Sequence, residues 1–155
     1  MEPIELRIPG APQGKGRARS MTLRTGQKIH YTPEKTRTYE GVIKSLAMDV
    51  MGECAPLDGP LQLELICTYP MAASWPAWKR ELALSGQLAA TVKPDADNVA
   101  KAVKDALNGV VWGDDTQVVR AVITKVYGER PMVAVRVTRL PQHSAQIKRR
   151  PGAAA

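Results

Sequence analysis

The chain has 155 residues, carries 22 Lys and Arg against 15 Asp and Glu for a formal net charge of +7, and is 44% hydrophobic. This length and apolar content predict one globular domain with a core and exclude wholesale disorder, while the lack of about 20 consecutive apolar residues excludes a membrane span. Two cysteines and two histidines cannot form a disulfide scaffold or an ordinary zinc cluster in one chain, and the first residues lack a secretory pattern, so we expect a cytoplasmic protein.

The chain begins with a predicted strand and a long basic loop. Residues 5–8 alternate polar with apolar side chains, as a strand does, and Pro9-Gly10 ends the pattern. From residue 11 to 31 no period persists, so we predict an irregular loop in which glycines alternate with cations. Glycines let a backbone approach phosphates closely and cations attract them, which indicates a nucleic-acid partner. The loop lacks the strand-to-helix context of a nucleotide-hydrolysing loop, so no nucleotide cofactor is expected. Between residues 10 and 39 one acid, Glu34, faces seven basic residues: Lys15, Arg17, Arg19, Arg24, Lys28, Lys35 and Arg37.

The rest of the chain predicts alternating helices and strands. In order, these are a helix from the N-cap Thr32 to Gly52, a strand over 61–67, a short helix over 75–84, a helix over 94–108 closed by Asn108-Gly109, and strands over 118–126 and 132–137 joined around 128–131 as a hairpin. The order β-α-β-α-α-β-β favours an α+β fold in which a small mixed β-sheet packs against two main helices. We place one domain over residues 1–140 and a flexible basic tail over 141–155.

Five aspartates form an acidic island in this basic chain: Asp95, Asp97, Asp105, Asp114 and Asp115. Asp95 and Asp97 lie where a loop enters the 94–108 helix, and Asp114-Asp115 lies in the turn after that helix. If this turn folds back along the sheet, the two pairs meet, and carboxylates without His or Cys are the ligands that Mg²⁺ or Mn²⁺ prefers. A metal held there would support hydrolysis of a phosphodiester.

A structural explanation of the same residues stays open. An Asp at a helix start usually caps the helix or interacts with its dipole, and Asp97, Lys101 and Asp105 have the i, i+4, i+8 spacing of ion pairs on a solvated face. Against this, an acidic island is costly in a protein that binds polyanions unless cations occupy it, which favours the metal site.

The tryptophans and cysteines carry weaker signals. We expect Trp75 and Trp78 to pack against the protein rather than to stack on bases, while Trp112, next to the acidic turn, stays open between packing and stacking. Cys54 and Cys67 are best explained as small buried hydrophobic residues.

Taken together, these segments resemble the RusA family of Holliday-junction resolvases, small crossover-junction endodeoxyribonucleases common in prophages. The blocks that carry the resemblance run in family order from residue 8 to 118: Pro9-Gly10-x-Pro12-x-x-Lys15-Gly16-Arg17-x-Arg19, Tyr31-Thr32-Pro33-x-Lys35-Thr36-x-x-Tyr39-Glu40, Pro94-Asp95-x-Asp97-Asn98-x-x-Lys101, Asp105-Ala106-Leu107-Asn108-Gly109 and Asp114-Asp115-x-Gln117-Val118. Residues 75–91 look like a variable insertion, and the tail after residue 139 has no family counterpart.

The resemblance implies that Asp95, Asp97 and Asp115 bind Mg²⁺ (with Mn²⁺ as a substitute), that Asp114 is a further ligand and that Lys101 is functionally important. It also implies a homodimer, because two symmetric nicks need two active sites. We therefore expect a Mg²⁺-dependent, structure-selective endodeoxyribonuclease that resolves four-way junctions in DNA recombination and repair. The alternatives are a nuclease for flaps or other branched DNA and a non-catalytic nucleic-acid-binding module. The expected contacts to the DNA backbone come from Lys15, Arg17, Arg19, Lys35 and Arg37.

Overall fold

The computed structural model describes residues 2–142, which form a mixed α+β structure. Its elements are β1 (Ile4–Pro9), β2 (Arg19–Thr22), β3 (Lys28–Tyr31), α1 (Glu34–Met51), β4 (Leu61–Tyr69), α2 (Ala77–Leu84), α3 (Ala96–Leu107), a 3₁₀ turn (Asp115–Gln117), β5 (Val118–Tyr127) and β6 (Met132–Arg139). The predicted α+β class is confirmed. The domain boundary at residue 140 stays a prediction, and the predicted tail lies, from residue 143 onward, outside the described residues. None of the helices described is long and apolar enough to cross a membrane.

Four strands form the main sheet, in the order β1-β6-β4-β5. β6 is antiparallel to both β1 and β4, whereas β4 and β5 are parallel. Successive residues of a strand face opposite sides of the sheet, and on one side of β4 every residue is buried: Leu61, Leu63, Leu65, Cys67 and Tyr69. These residues share one core with side chains of α1 and α3, whereas Ile66 on the opposite side of β4 is exposed. The main helices therefore cover one face of the sheet.

The first helix packs on this core through a single apolar row. Its buried hydrophobic residues recur every fourth position, at Tyr39, Ile43, Ala47 and Met51, which places them on one face. Gly52 ends α1 with a φ of 53°, a left-handed conformation that favours glycine. The predicted N-cap was wrong by one residue. Pro33 occupies the cap position with an extended ψ of 142°, and its carbonyl accepts the first helical hydrogen bond from the N–H of Arg37.

The predicted hairpin between β5 and β6 was wrong. Both strands are present, but each pairs with β4, which lies between them. The connection over 128–131 crosses the end of β4, where the N–H of Gly128 donates to the carbonyl of Tyr69 at 3.1 Å. A Cβ on Gly128 would lie 2.5 Å from Cγ2 of Thr68, so the crossing is in direct contact with the strand. Turn composition alone does not reveal that a strand from elsewhere in the chain separates its two neighbours.

The predicted irregular loop contains a two-stranded antiparallel ribbon, so that prediction was wrong over residues 19–31. β2 and β3 pair from Arg19↔Tyr31 to Thr22↔Lys28. All eight strand residues are exposed, so the ribbon projects from the body and shows no alternation between buried and exposed positions. A strand without a buried face lacks the hydrophobic period by which strands are usually predicted.

The outcomes for the tryptophans and cysteines are mixed. Trp75 packs edge-to-face on Tyr127, with ring centroids 5.1 Å apart, as expected. Trp78 is 63% exposed, so its predicted packing role was wrong. Trp112 is fully buried, which settles it as a packing residue. Cys67 is buried as predicted, whereas Cys54 is exposed because it lies in the loop after α1 and not on a core-facing strand.

Candidate functional site

A short glycine-rich segment passes between the first turns of α1 and α3. The N–H of Lys15 donates to the carbonyl of Asn98 at 3.0 Å, and the N–H of Gly16 donates to Oγ1 of Thr36 at 3.1 Å. A Cβ on Gly14 would lie 3.0 Å from Cβ of Pro94. A Cβ on Gly16 would lie 2.5 Å from the same Thr36 oxygen. The two glycines thus allow a backbone approach that side chains would prevent.

The side chain of Lys15 joins three parts of the protein. Its ammonium lies 2.5 Å from Oε1 of Glu40 on α1 and 2.9 Å from Oδ2 of Asp105 on α3. Burial by itself lowers the pKa of Lys15, but hydrogen bonds and charge attraction from both carboxylates outweigh burial and leave that pKa raised. The lysine therefore stays charged at neutral pH and holds the basic segment against both helices.

The same segment lines an open cleft of about 740 Å³. The cleft includes one carboxylate, that of Asp95, and the neutral side chains of Asn98 and Thr36. Five basic residues surround it: Lys15, Arg17, Arg19, Lys35 and Lys93. Four of the five expected DNA contacts therefore lie together. The fifth, Arg37, is exposed on α1 directly after Thr36, which lines the cleft.

Asp95 is held at the start of α3 by the chain that precedes it. The hydroxyl of Tyr69, at the end of β4, donates to the carbonyl of Pro94 at 2.6 Å, and the ammonium of Lys125 on β5 donates to the carbonyl of Val92. Burial is the main cause that raises the pKa of Tyr69 to about 12, so its hydroxyl remains a donor at neutral pH. Sequence reasoning missed this role of Tyr69, because it depends on a tertiary contact between residues 25 positions apart in the chain.

The carboxylate of Asp95 is not used as a helix cap. Asp95 occupies the N-cap position of α3, but its side chain makes no capping hydrogen bond. Asp97 lies exposed in the first turn. Asp105 pairs with Lys15, and Lys101 is exposed and forms no ion pair within residues 2–142. The solvated ladder of ion pairs along α3 is therefore not formed, and Asp95 keeps its carboxylate available.

The second acidic pair forms a tightly hydrogen-bonded turn. Oδ1 of Asp115 accepts from Nε1 of the buried Trp112 at 2.8 Å. Asp114 caps the 3₁₀ turn, since its Oδ1 accepts from the N–H of Thr116 at 2.8 Å, and this hydrogen bond lowers the pKa of Asp114. Gln117 completes a capping box by accepting from the N–H of Asp114 at 3.0 Å.

Gln117 also ties this turn to the start of β4. Its Nε2 donates to the carbonyls of Leu57 and Gly59 at 2.9 and 3.0 Å. In the sequence, Gln117 stands out only as part of a motif, and its positioning role depends on this tertiary contact. The signal was present, since an acid followed three residues later by Gln is the pattern of a capping box.

The two acidic pairs lie at opposite ends of α3. Asp95 adjoins Tyr69 at the end of β4, whereas the turn with Asp115 adjoins Leu57 and precedes Val118, which pairs with Leu61 at the beginning of β4. The 12 residues of α3 extend about 18 Å at 1.5 Å per residue. The condition that the turn folds back to join the pairs is not met. Within residues 2–142, no three His, Cys, Asp or Glu side chains form a group that could hold a metal ion.

The candidate metal ligands therefore do not all meet within the described part of one chain. Asp95 and Asp97 supply two hard oxygen ligands at the start of α3, and Mg²⁺ is commonly held by one or two carboxylates together with waters and substrate phosphates. The metal roles of Asp95, Asp97, Asp114 and Asp115 and the role of Lys101 stay predictions.

Two comparisons with known proteins bear on this arrangement. The family model for "Endodeoxyribonuclease RusA" matches residues 9–138, which include the basic segment and both acidic pairs. The chain is also 34% identical over 139 residues to "Uncharacterized protein YqaN" of Bacillus subtilis (strain 168), a match that covers 88% of this chain and 96% of that protein.

Replacing Lys15 by Met tests whether its ion pairs hold the cleft together. The variant leaves Glu40 and Asp105 without their shared cation, so we expect the free energy of unfolding in urea to fall by about 1–2 kcal/mol at neutral pH. Because the pKa of Lys15 is raised in the folded state, the difference from wild type should persist up to the unfolded-state value of 10.5 and disappear as the pH rises further.

The matched control for this prediction is Lys35→Met. Lys35 lines the same cleft but is exposed and forms no ion pair in the described part of the chain. Its loss should change stability by less than about 0.5 kcal/mol. Equal losses in the two variants would show that the carboxylates do not depend on Lys15.

Proposed function

Because the chain belongs to the RusA endodeoxyribonuclease family, we propose that it is a divalent-metal-dependent endonuclease that resolves four-way DNA junctions by paired nicks. The observation that carries this proposal is the cleft in which five basic residues surround the carboxylate of Asp95, which makes no capping hydrogen bond to α3. A lone carboxylate among cations repels a DNA phosphate unless a further cation lies between them. A divalent ion there would neutralise charge on the phosphate and supply a bound water.

In this proposal, the cleft holds one DNA strand by its backbone. Arg17, Arg19, Lys35 and Arg37 contact phosphates without regard to sequence, so binding weakens steeply with added salt. Lys15 belongs to this set by position, although Glu40 and Asp105 already neutralise its ammonium. Lys101 follows Asp97 by one helical turn on an exposed face of α3. There it stabilises negative charge on a phosphate held at the start of the helix.

The separation of the acids along α3 indicates how a second copy would take part. Asp95 and Asp97 lie at one end of the helix and Asp115 at the other, so a site that uses all three needs two chains. β5 lies at the edge of the sheet and so has one side that pairs with no described strand. Four successive residues near its start, Val119 to Val122, are exposed, so both faces of the strand are open there, and Val119 is 64% exposed. Open edge strands of this kind pair readily with another chain.

Antiparallel pairing of two β5 strands about a twofold axis would complete the site. Such pairing sets the start of one β5 beside the end of the other. The start of β5 follows Asp115 directly, and its end at Tyr127 pairs with Tyr69, which holds Pro94 beside Asp95. Each Asp115 thereby approaches the Asp95 of the other copy, and the dimer contains two equivalent sites. Two such sites match the two symmetric nicks that resolve a junction.

Cleavage of three DNA substrates tests the reaction. The wild-type protein is incubated with a synthetic four-way junction, a flap and a linear duplex of equal length, each with Mg²⁺ and with excess chelator. We expect Mg²⁺-dependent cleavage of the junction, with the flap and the duplex cut at least about tenfold more slowly. Equal rates on all three substrates would contradict junction selectivity, and cleavage in chelator would contradict metal dependence.

Conservative substitution of the acids tests their role. In Asp95→Asn and Asp115→Asn we expect junction cleavage to fall by at least about a thousandfold, because each removes a charged ligand, while junction binding is retained or strengthened. Asp49→Asn, an exposed position on α1, is the control and should cleave at the wild-type rate. Normal cleavage by both site variants would leave only a nucleic-acid-binding role for the acids.

Mixing the two inactive variants tests whether the site is shared between chains. A heterodimer of Asp95→Asn with Asp115→Asn combines both substitutions in one shared site and leaves the other site intact. We expect the mixture to regain activity as single nicks, approaching half of the wild-type initial rate per heterodimer. If each chain holds its own complete site, every site in the mixture carries one substitution and no activity returns.

A further inference from the structure

The ribbon formed by β2 and β3 has two chemically different faces. Because residues paired across antiparallel strands lie on the same face, one face carries Arg19, Met21, Ile29 and Tyr31, and the other carries Ser20, Thr22, Lys28 and His30. The first face is largely apolar and the second is polar. The ribbon is thus amphipathic, although all of its strand residues are exposed.

The apolar face of the ribbon lacks a partner within the described residues. Met21 is 53% exposed, Ile29 38% and Tyr31 45%. An isolated two-stranded hairpin is marginally stable in water, and an apolar face left open adds to that cost. These side chains therefore indicate a surface that the ribbon covers when the protein acts.

Charge identifies the kind of surface that the ribbon covers. Between Glu5 and Glu34 the chain has no acidic side chain, whereas Arg19, Arg24 and Lys28 lie in the ribbon and its turn. Two such ribbons repel each other, so a second ribbon is a poor occupant. A polyanion that exposes apolar groups beside its charges could contact both the cations and the apolar side chains of the ribbon, and DNA with unstacked bases has this chemistry.

The ribbon also lies at the mouth of the cleft. Arg17 and Arg19 line the cleft where the ribbon begins, and Pro33 lines it two residues after the ribbon ends. The base of the ribbon is fixed by the hydrogen bonds of Lys15 and Gly16. DNA held by the cleft therefore comes within reach of the ribbon.

From these observations we infer that the ribbon recognises the branch point of the DNA, with Met21, Ile29 and Tyr31 contacting the faces of unstacked bases. This inference rests on the proposed function and adds a determinant of substrate choice to it. In a linear duplex the base faces are stacked and unavailable, whereas a branch point can expose them. Apolar side chains such as Met and Ile are of the type that proteins insert between base steps, and aromatic rings such as that of Tyr31 stack on bases of any sequence. The cations of the ribbon contact the flanking phosphates.

The test compares substitutions on the two faces. Met21→Ser combined with Ile29→Ser alters the apolar face, and Ser20→Ala combined with Thr22→Ala alters the polar face as a matched control. All variants are full-length, and binding is measured without divalent cations so that no DNA is cut. The DNA probes are a four-way junction with 2-aminopurine at its branch point and a linear duplex with the same label.

We expect wild type and the polar-face variant to bind the junction more tightly than the duplex and to raise 2-aminopurine fluorescence at saturation. The apolar-face variant should lose about tenfold in junction affinity, retain duplex affinity within about twofold and lose the fluorescence rise. Its thermal unfolding midpoint should match wild type, because the ribbon contributes nothing to the core.

The outcomes separate this inference from the proposed function. If wild type prefers the junction and the apolar-face variant behaves identically, the ribbon inference is overturned and the proposed function stands. If wild type shows no preference for the junction, the proposed function fails first. If light scattering shows that only the apolar-face variant changes oligomeric state, the ribbon covers a second copy of the chain and the assignment to DNA is wrong.

Discussion

The contact on which the candidate site depends is the pairing of one lysine with two carboxylates from different helices. Lys15 lies in a glycine-rich segment, and its ammonium draws Glu40 of α1 and Asp105 of α3 together. Without this cation the two helices would present like charges to each other. The same contact fixes the root of the basic ribbon and the cleft wall next to Asp95. Lys15, which the composition of its segment assigns to DNA binding, thus also holds α1 and α3 together.

The third helix then determines which acids act together. α3 is a rigid spacer, and both of its ends are fixed: Tyr69 holds the chain before it, and Gln117 holds the turn after it. Neither acidic pair can move toward the other while these hydrogen bonds persist. The five aspartates of the sequence therefore divide into a framework residue, Asp105, and two separate groups of candidate ligands.

Local sequence patterns predicted the helices and most strands, because periodic burial and glycine at helix ends are local properties. Local patterns failed where pairing between distant segments determines the order of the strands. The turn composition at 128–131 could not show that β4 separates β5 from β6. They also failed where nothing is buried, as in the ribbon over 19–31. For the site, the roles that the motif assigns to Asp95, Asp97, Asp114 and Asp115 stay predictions, because the meeting of these carboxylates depends on tertiary geometry. The different surroundings of Asp95 and Asp105 were equally impossible to predict from local patterns, because only the fold brings Lys15 into contact with Asp105 and not with Asp95.

The position of β6 between β1 and β4 has a consequence for how the chain folds. β1 is the first strand of the sheet along the chain, yet within residues 2–142 it pairs only with β6, the last strand of the sheet. During synthesis β1 therefore cannot pair with β6 until nearly all of the described residues have left the ribosome. Contacts of such long sequence separation slow folding, because the entropy of closing the long loop is lost before the contact forms. The four-stranded sheet is complete only when its final strand enters between β1 and β4, so a fragment that lacks β6 lacks the strand that joins β1 to the rest of the sheet.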